Sequence, residues 1–376
     1  MIDFDINKIE TPYYAIDERL LEDNLKILKR VKDGTGAKIL LAQKAFSTYA
    51  TYPLIAKYLD GATASGLFEA KLGKSKMKKE NHIFSPAYKE NEIDEIISIC
   101  DHIIFNSITQ LNKYKYKVIK GKKSVGIRIN PNFSTQEHGI YDPCSFGSRL
   151  GIRKELLENE NLDGVEGLHF HTLCEQNVHP LIETLKVVER DFDFILKKVK
   201  WVNFGGGHHI TRADYDVDLL IKTIKDFKEK YDVEVYLEPG EAVALNSGYL
   251  VTTVMDIVEN DIKNLILDTS PSCHMPDVIE MPYRPNIIGG FLKDEKEFTY
   301  RLGGPTCLAG DIIGDYSFEK EIKVGDKLIF LDMAIYSMVK NNTFNGICLP
   351  TIAIINKSGI IRKIKSFSYK DFKRRI

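Results

Sequence analysis

Residues whose chemistry could matter stand at the far ends of short apolar runs in this sequence. Lys44 closes the run 38–44, and burying an ammonium group at such a strand end is costly unless the group has a partner or a role. A lysine that extends from a strand end into water would give the same local pattern. Lys44 is therefore a candidate reactive amine, and its neighbours must decide between the two interpretations.

His169 and His171 lie two residues apart in another apolar run, so both side chains point to the same side of a strand. One interpretation is a metal pair, completed by Glu238 with His208 or His209. The other is a single imidazole packed flat on an aromatic cofactor. The pattern favours the cofactor, and no metal is expected.

Three glycines, Gly205, Gly206 and Gly207, directly follow the strand-like run Trp201-Val202-Asn203-Phe204. Glycines let backbone N–H groups turn toward a phosphate, although a flexible turn is an equally good explanation. Neither G-x-G-x-x-G nor G-x-x-x-x-G-K-[ST] occurs, which argues against dinucleotide and Walker-type nucleotide binding. Glu238-Pro239-Gly240 ends the last run, where a fixed carboxylate could pair with a protonated ring nitrogen or simply form a turn.

Together these groups are the ones that pyridoxal 5'-phosphate requires. A lysine binds this cofactor covalently, glycines hold its phosphate, and a carboxylate pairs with its ring nitrogen. The combination predicts a pyridoxal-phosphate site that contains Lys44, the glycines 205–207 and Glu238.

The elements that must position these residues alternate between strands and helices. Eight short apolar runs, most of them separated by helix-like segments, predict an α/β fold with a parallel (β/α)8 barrel of the TIM type, whose active site lies at the carboxyl ends of the strands. The runs are 38–44, 61–65, 82–86, 102–106, 124–130, 164–171, 201–205 and 234–238.

Beyond about residue 250 the pattern changes to β-rich segments. These predict a C-terminal β domain, a sandwich or small barrel, that also takes in the N-terminal strand at Tyr13-Tyr14-Ala15-Ile16-Asp17. The expected division is 1–20 for that strand, 21–248 for the cofactor-binding barrel and 249–376 for the β domain. The basic tail 369–376 is expected to be a solvated end.

Composition limits the partners. The chain has 376 residues and a formal net charge of -1, so no nucleic acid or anionic membrane is expected as a partner. No apolar run reaches 18 residues, and the first residues have no signal-peptide pattern. Its six cysteines are scattered without a Cys-x-x-Cys pair, which favours reduced thiols in the cytoplasm.

Several motifs, in the same order, make this chain resemble the fold-type III pyridoxal-phosphate decarboxylases, which share the alanine-racemase-like barrel with a C-terminal β domain. The motifs are Ala42-Gln43-Lys44-Ala45, the segments 126–131 and 148–152, Gly205-Gly206-Gly207, Glu238-Pro239-Gly240, Gly304-Pro305-Thr306-Cys307, and Tyr336 with Phe344-Asn345-Gly346. The resemblance covers nearly the whole chain.

The resemblance implies roles for particular residues. Lys44 would hold the cofactor, His171 would stack on its ring, and Cys307 would donate a proton to the product carbon. Cys307 would do so in the neighbouring subunit's site, which implies a homodimer with composite active sites. Arg128, Gly240 and Tyr336 would complete the cofactor contacts.

Three departures point to one branch of this family, the decarboxylases that act on carboxylated polyamines. Glu241 and Leu308 stand where ornithine and diaminopimelate decarboxylases usually have an arginine and an acidic residue, and Cys174 replaces a serine that touches the phosphate. Extra carboxylates suit a substrate with extra ammonium groups. Glu241, Asp277 and Asp311 are therefore expected to contact the substrate, although Glu241 and Asp277 could also be ordinary exposed acids.

Three alternatives remain open at this point. A sister decarboxylase for ornithine, lysine or diaminopimelate is disfavoured by Glu241 and Leu308. A regulatory homologue without activity is disfavoured because Lys44, Glu238 and Cys307 are all present. A metal-dependent barrel hydrolase would instead contain bound zinc.

Overall fold

The alternation of strands and helices is present in the computed structural model, which describes residues 2–136, 139–281 and 283–376. Strand β1 (Tyr13–Asp17) is followed by eight strands that pair in parallel, each with the next, and β9 closes the ring onto β2. These barrel strands are β2 (Lys38–Ala42), β3 (Gly61–Ala64), β4 (Glu80–Phe84), β5 (His102–Phe105), β6 (Ser124–Arg128), β7 (Gly167–His169), β8 (Trp201–Asn203) and β9 (Glu234–Leu237). The predicted barrel is confirmed.

Helices of the barrel region bury one apolar face each. In the first helix, Leu21, Leu25 and Leu28 recur at helical spacing and are fully buried. Side chains cap two other helices, since Ser107 accepts from the N–H of Gln110 and Asp216 accepts from that of Leu219. The helices are α1 (Glu18–Thr35), α2 (Tyr52–Ile55), α3 (Leu67–Leu72), α4 (Ile93–Ile99), α5 (Ile108–Lys120), α6 (Val178–Leu196), α7 (Val217–Tyr231) and α8 (Glu241–Ala244).

Large side chains from several strands pack together in the barrel core. The rings of His82 and His102 stack with centroids 3.9 Å apart, and His102 also stacks on Trp201 at 4.7 Å. Gly167 makes room for the indole, because a Cβ there would lie 2.0 Å from it. The core is thus filled by side chains, which is the usual condition of such barrels.

The second compact unit combines both ends of the chain. Contacts divide the chain into Met1–Glu22 with Ala244–Ile376, and Asp23–Val243. Within the described residues, the unit that combines both chain ends holds a mixed sheet in the order β12-β14-β13-β11-β10-β1-β16-β17, with β15 also paired to β10. Its later strands are β10 (Gly248–Asn260), β11 (Ile262–Leu267), β12 (Gly290–Leu292), β13 (Phe298–Gly303), β14 (Ile312–Phe318), β15 (Lys327–Leu331), β16 (Thr351–Ile355) and β17 (Ile361–Lys365).

Strand β1 lies between β10, to which it is antiparallel, and β16, to which it is parallel. The N-terminal strand therefore belongs to the C-terminal sheet, as the sequence predicted. The short helices of this unit are α9 (Pro271–His274), α10 (Asp277–Glu280), α11 (Ser337–Lys340) and α12 (Tyr369–Arg375). Of the helices in the described ranges, none is both long and apolar enough to span a membrane.

Candidate active site

A pocket opens at the carboxyl ends of the barrel strands. Its empty space amounts to about 360 Å³, a figure that includes open solvent. Strands β2, β3, β4, β6, β7 and β9, or the loops directly after them, supply its lining: Ala42, Lys44, Thr63, Ala64, Ser65, Phe84, Arg128, His169, His171 and Glu238. Four residues predicted from the sequence, Lys44, Arg128, His171 and Glu238, thus meet in one place.

Lys44 lies two residues beyond the end of β2. Pocket solvent reaches its side chain, but the pocket walls surround it on most sides. This burial is the main cause that lowers the pKa of Lys44, and the charge of Arg128 lowers it further, while Glu238 opposes both. A lowered pKa raises the share of uncharged amine at neutral pH, and the uncharged amine is the nucleophile.

Glu238 directly follows β9 and is buried. Asn203 donates to its Oε1 at 2.7 Å, and His169 Nε2 lies 3.3 Å from its Oε2. Burial alone would raise the pKa of Glu238, but His169 and Asn203 outweigh that effect and lower the pKa to about 2. The side chain is therefore a carboxylate at neutral pH.

His171 is fixed by the glycine loop. The N–H of Gly206 donates to its Nδ1 at 2.9 Å, so the neutral ring carries its proton on Nε2. Burial, followed by the charges of Lys44 and Arg128, lowers the pKa of His171 well below its ordinary value. A neutral ring on the pocket wall is compatible with stacking on a flat ligand, and the stacking role remains a prediction.

The glycine loop approaches its neighbours too closely for a side chain. A Cβ on Gly206 would lie 2.3 Å from the carbonyl oxygen of Glu238, and one on Gly207 would lie 1.9 Å from that of Leu173. Gly207 also has φ +80, a conformation that favours glycine. The N–H groups of Gly205 and Gly206 already donate, to Asn203 and His171. The loop is a narrow backbone cradle, but two of its three N–H groups are in use.

Gly240 also lies too close to its neighbours for a side chain. Its Cβ would lie 2.7 Å from the Cβ of Ala45, next to Lys44. The turn Glu238-Pro239-Gly240 therefore packs directly against the loop that carries the lysine.

Arg128, at the end of β6, is buried beside these groups. Its guanidinium lies 4.6 Å from the ring centroid of Phe84 and donates to the carbonyl oxygen of His171 at 3.1 Å. Burial lowers the pKa of Arg128 to about 10, so it remains a cation at neutral pH. A buried cation beside the cradle suits an anionic ligand such as a phosphate or a carboxylate.

Glu241 lies in a second cluster with Glu175 and His209. His209 Nε2 is 3.2 Å from Glu241 Oε2, and one ligand-type atom from each of the three residues lies within 4.8 Å of the others. Within the described part of the chain this is the group whose geometry could hold a metal ion. It differs from the metal pair considered for His169 and His171, whose Nε2 and Nδ1 respectively contact Glu238 and Gly206.

The remaining predicted residues lie in the β unit. Cys307 is exposed, and Asn345 Oδ1 accepts from its backbone N–H at 3.0 Å and from its Sγ at 3.1 Å. Tyr336 has φ +49, and the ammonium of Lys340 lies 5.7 Å from its ring centroid. Lys340 also forms ion pairs with Asp277 and Glu280.

Asp311 is occupied by its neighbours. Its carboxylate accepts from the hydroxyl groups of Ser270, Ser272 and Thr306 and from the N–H of Ser272, and it is 2% exposed. These hydrogen bonds tie the segment before β14 to the loop after β11. The contacts favour a structural role for Asp311 over the substrate contact expected from the sequence.

The sequence analysis assigned no role to Asn203 or Phe84. It also did not predict the ion pair of His209 with Glu241. Asn203 had a visible signal, because it is a polar side chain inside the apolar run before the glycines. The contacts of Phe84 and His209 join residues far apart in the chain, and no local pattern indicates them.

Comparisons with known proteins fit this geometry. The family model described as "Pyridoxal-dependent decarboxylase, C-terminal sheet domain" matches residues 14–334. Carboxynorspermidine/carboxyspermidine decarboxylase of Campylobacter jejuni is 47% identical over an alignment of 379 positions, which covers 98% of this chain and 99% of that protein. Carboxyaminopropylagmatine decarboxylase of Synechocystis sp. is 37% identical over 373 residues, 99% of this chain and 96% of that protein.

A solved structure is similar over the same length. Carboxynorspermidine decarboxylase from Campylobacter jejuni, complexed with norspermidine, matches with a TM-score of 0.92 at 46% identity. The match covers 98% of this chain and 100% of that one.

Proposed function

This chain belongs to the pyridoxal-dependent decarboxylase family, and on that basis we propose that it removes the α-carboxylate of carboxynorspermidine or carboxyspermidine. The products are carbon dioxide and norspermidine or spermidine, so the enzyme serves polyamine biosynthesis. The observation that carries the proposal is the meeting of Lys44, His171 and Glu238 in one pocket, in a chain with a full-length relative of that activity.

The pocket residues fit pyridoxal 5'-phosphate. Lys44 would bind it covalently, His171 would face its ring and Glu238 would pair with its ring nitrogen. Because Gly205 and Gly206 already donate within the protein, the phosphate would rely on the N–H groups of Gly207 and of the Gly240-Glu241 turn. Arg128 would add positive charge and Tyr336 a hydroxyl group.

When bound, this cofactor accepts the electron pair left by the departing carbon dioxide. The chain's own residues prepare that step. Lys44 supplies an amine whose uncharged share is raised because burial lowers its pKa, and Glu238 supplies a fixed negative charge because its pKa is low. Arg128 keeps a positive charge beside the bound cofactor.

Cys307 is the proposed donor of the proton that replaces the carboxylate. The proton moves from Sγ to the substrate carbon, and the thiolate regains a proton from water. We further propose that the enzyme is a homodimer in which Cys307 of each chain serves the pocket of the other. Exposure of Cys307 and of Leu308 beside it supports this arrangement.

Acidic residues are the proposed partners of the substrate's extra ammonium groups. Glu241 is partly buried with His209 beside it, and Asp277 is held by Lys340. An incoming ammonium group can replace either of these partners without leaving a buried carboxylate unpaired. Asp311 stays a weaker candidate, since its carboxylate already accepts several hydrogen bonds.

The six cysteines are all unpaired, as expected in a reducing compartment. We therefore place the enzyme in the cytoplasm, where its small-molecule substrate would also be found.

The direct test is the absorbance spectrum of purified protein, recorded with the cofactor before and after addition of carboxyspermidine, with spermidine assayed in the same tube. A visible band that changes on addition, together with formation of spermidine, is the expected result. A band without spermidine would keep the cofactor and point to a sister substrate such as diaminopimelate. No band would contradict the proposal.

A further inference from the structure

Two buried donors hold the carboxylate of Glu238 from neighbouring strands. Asn203, the last residue of β8, donates to Oε1 at 2.7 Å, and His169, the last residue of β7, lies 3.3 Å from Oε2 through Nε2. A carboxylate only accepts hydrogen bonds, so both partners must donate. Asn203 is 0% exposed and His169 is 2% exposed, so water does not compete for either contact.

The state of His169 follows from these contacts. Because Nε2 donates, the neutral ring has no proton on Nδ1, and Nδ1 has no hydrogen-bond partner among the described residues. Burial lowers the pKa of His169 despite the nearby Glu238, so the neutral ring predominates at neutral pH. At low pH, where Glu238 itself titrates, the protonated ring also attracts the carboxylate. A neutral donor orients the carboxylate but leaves its full negative charge for another partner.

Asn203 also connects Glu238 to the glycine loop. Its Oδ1 accepts from the N–H of Gly205 at 2.8 Å while its Nδ2 donates to Glu238. One rigid amide therefore sets the distance between the carboxylate and the start of the cradle. A flat ligand whose ring nitrogen meets the carboxylate and whose phosphate meets the cradle would need that distance to be constant.

We propose that His169 and Asn203 are positioning residues that orient Glu238 toward the pocket and keep it ionised. They act through Glu238 and not on the substrate. The inference rests on the proposed function, because the orientation of Glu238 affects the reaction only if its partner is the cofactor ring nitrogen.

Other charged or titratable groups also face Glu238. They are Lys44 after β2, His82 on β4, His102 on β5 and Arg128 on β6. All four are unchanged in the variants proposed below. Differences between those variants therefore report on the two donors.

The variants test the loss of the hydrogen-bond donor separately from a change in the size of the side chain. His169→Leu removes the donor, whereas His169→Gln can place an amide N–H near the position of Nε2. Asn203→Asp keeps the oxygen that accepts from Gly205 and replaces the donor to Glu238 with a second carboxylate. Each holoenzyme is measured as kcat against pH and as the absorbance of bound cofactor against pH.

The sign of the expected change follows from the pKa of Glu238. Removing a donor raises that pKa. When the pH is lowered, Glu238 then becomes protonated, and activity is lost, at a higher pH than in the wild type. In His169→Leu and Asn203→Asp we expect the acidic limb of the kcat profile to move up by at least about one pH unit. The cofactor absorbance should change over the same pH range. His169→Gln, which keeps an N–H donor, should show a smaller shift than His169→Leu.

Glu238→Gln distinguishes failure of this inference from failure of the proposed function. If Glu238→Gln leaves the spectrum and turnover unchanged, the role of Glu238 is wrong. If Glu238→Gln is impaired but His169→Leu and Asn203→Asp keep the wild-type profile, only the positioning role is wrong. Should His169→Leu fail to bind cofactor, His169→Gln decides, because equal failure there would show that the N–H donor is not what matters.

Discussion

At the scale of single residues, Lys44 carries the most specific prediction. Its lowered pKa and its place in the pocket support its proposed role as the amine that binds the cofactor carbonyl. Borohydride reduction of the holoenzyme should fix the cofactor on the peptide that contains Lys44, as detected by mass spectrometry. Lys44→Ala should lose this modification and essentially all turnover, while Lys29→Ala, a change at an exposed ion pair with Asp33, should keep both. Turnover in Lys44→Ala would contradict the mechanism.

Glu241 carries a second prediction at this scale, which concerns the substrate. Glu241→Gln keeps the size of the side chain but removes the charge that an ammonium group of the substrate would meet. A charge-assisted hydrogen bond of about 1.5–3 kcal/mol corresponds to a loss of roughly tenfold or more in kcat/KM for carboxyspermidine. A short diamino acid should lose much less, and equal losses on both substrates would remove Glu241 from a role in selection.

At the scale of elements, the glycine loop depends on close backbone approach. Gly206→Ala would bring a Cβ within 2.3 Å of the carbonyl oxygen of Glu238, so the loop must move away from the strand end. We expect a loss of about 1–3 kcal/mol in the free energy of unfolding and a weaker affinity for the cofactor. Gly139→Ala is the matched control, because a Cβ at Gly139 would meet no atom within 4 Å among the described residues beyond its chain neighbours. Thermal unfolding and cofactor titration measure the two effects, and equal stability of both variants would contradict the expectation.

The secondary-structure elements also show which parts of the fold could be predicted from the sequence alone. The barrel was predictable because short apolar runs recur at or near the positions of its strands. The pocket was predictable because parallel strands all end at the same rim. Strand β17 was not predicted, since Ile361 is the one residue of that strand that is buried. Helix α12 was expected to be a solvated end, and its residues are indeed mostly exposed.

The helix α12 had a local signal that went unused. Ser368 and Asp371 form a capping box, a pattern that the sequence displays directly. The hydrogen bonds of Asp311 with Ser270 and Ser272 had no such signal, because they join segments about forty residues apart. The sequence shows which residues are acidic. It does not show which of their carboxylates already accept hydrogen bonds from neighbouring side chains.

At the scale of the whole molecule, the proposed dimer leads to a predicted outcome that requires two subunits to contribute to one active site. If Cys307 of one chain serves the pocket that holds Lys44 of the other, each heterodimer of Lys44→Ala and Cys307→Ala contains one site with both native residues. Each variant alone should form little amine product. Random mixing gives heterodimers as half of all dimers, and one native site in each of them restores about a quarter of the wild-type rate.

The mixing experiment is informative because its outcome depends on which chain supplies each residue. Subunits are exchanged by mild dissociation and reassociation, and spermidine formation is measured before and after the exchange. Sites built from a single chain would stay inactive after mixing, since no chain in the mixture carries both Lys44 and Cys307. Mixing Lys44→Ala with Glu238→Gln is the control, because both residues lie in the barrel unit and no heterodimer would then contain a complete pocket. Recovery in the first mixture and none in the second would establish that the active site is shared between subunits.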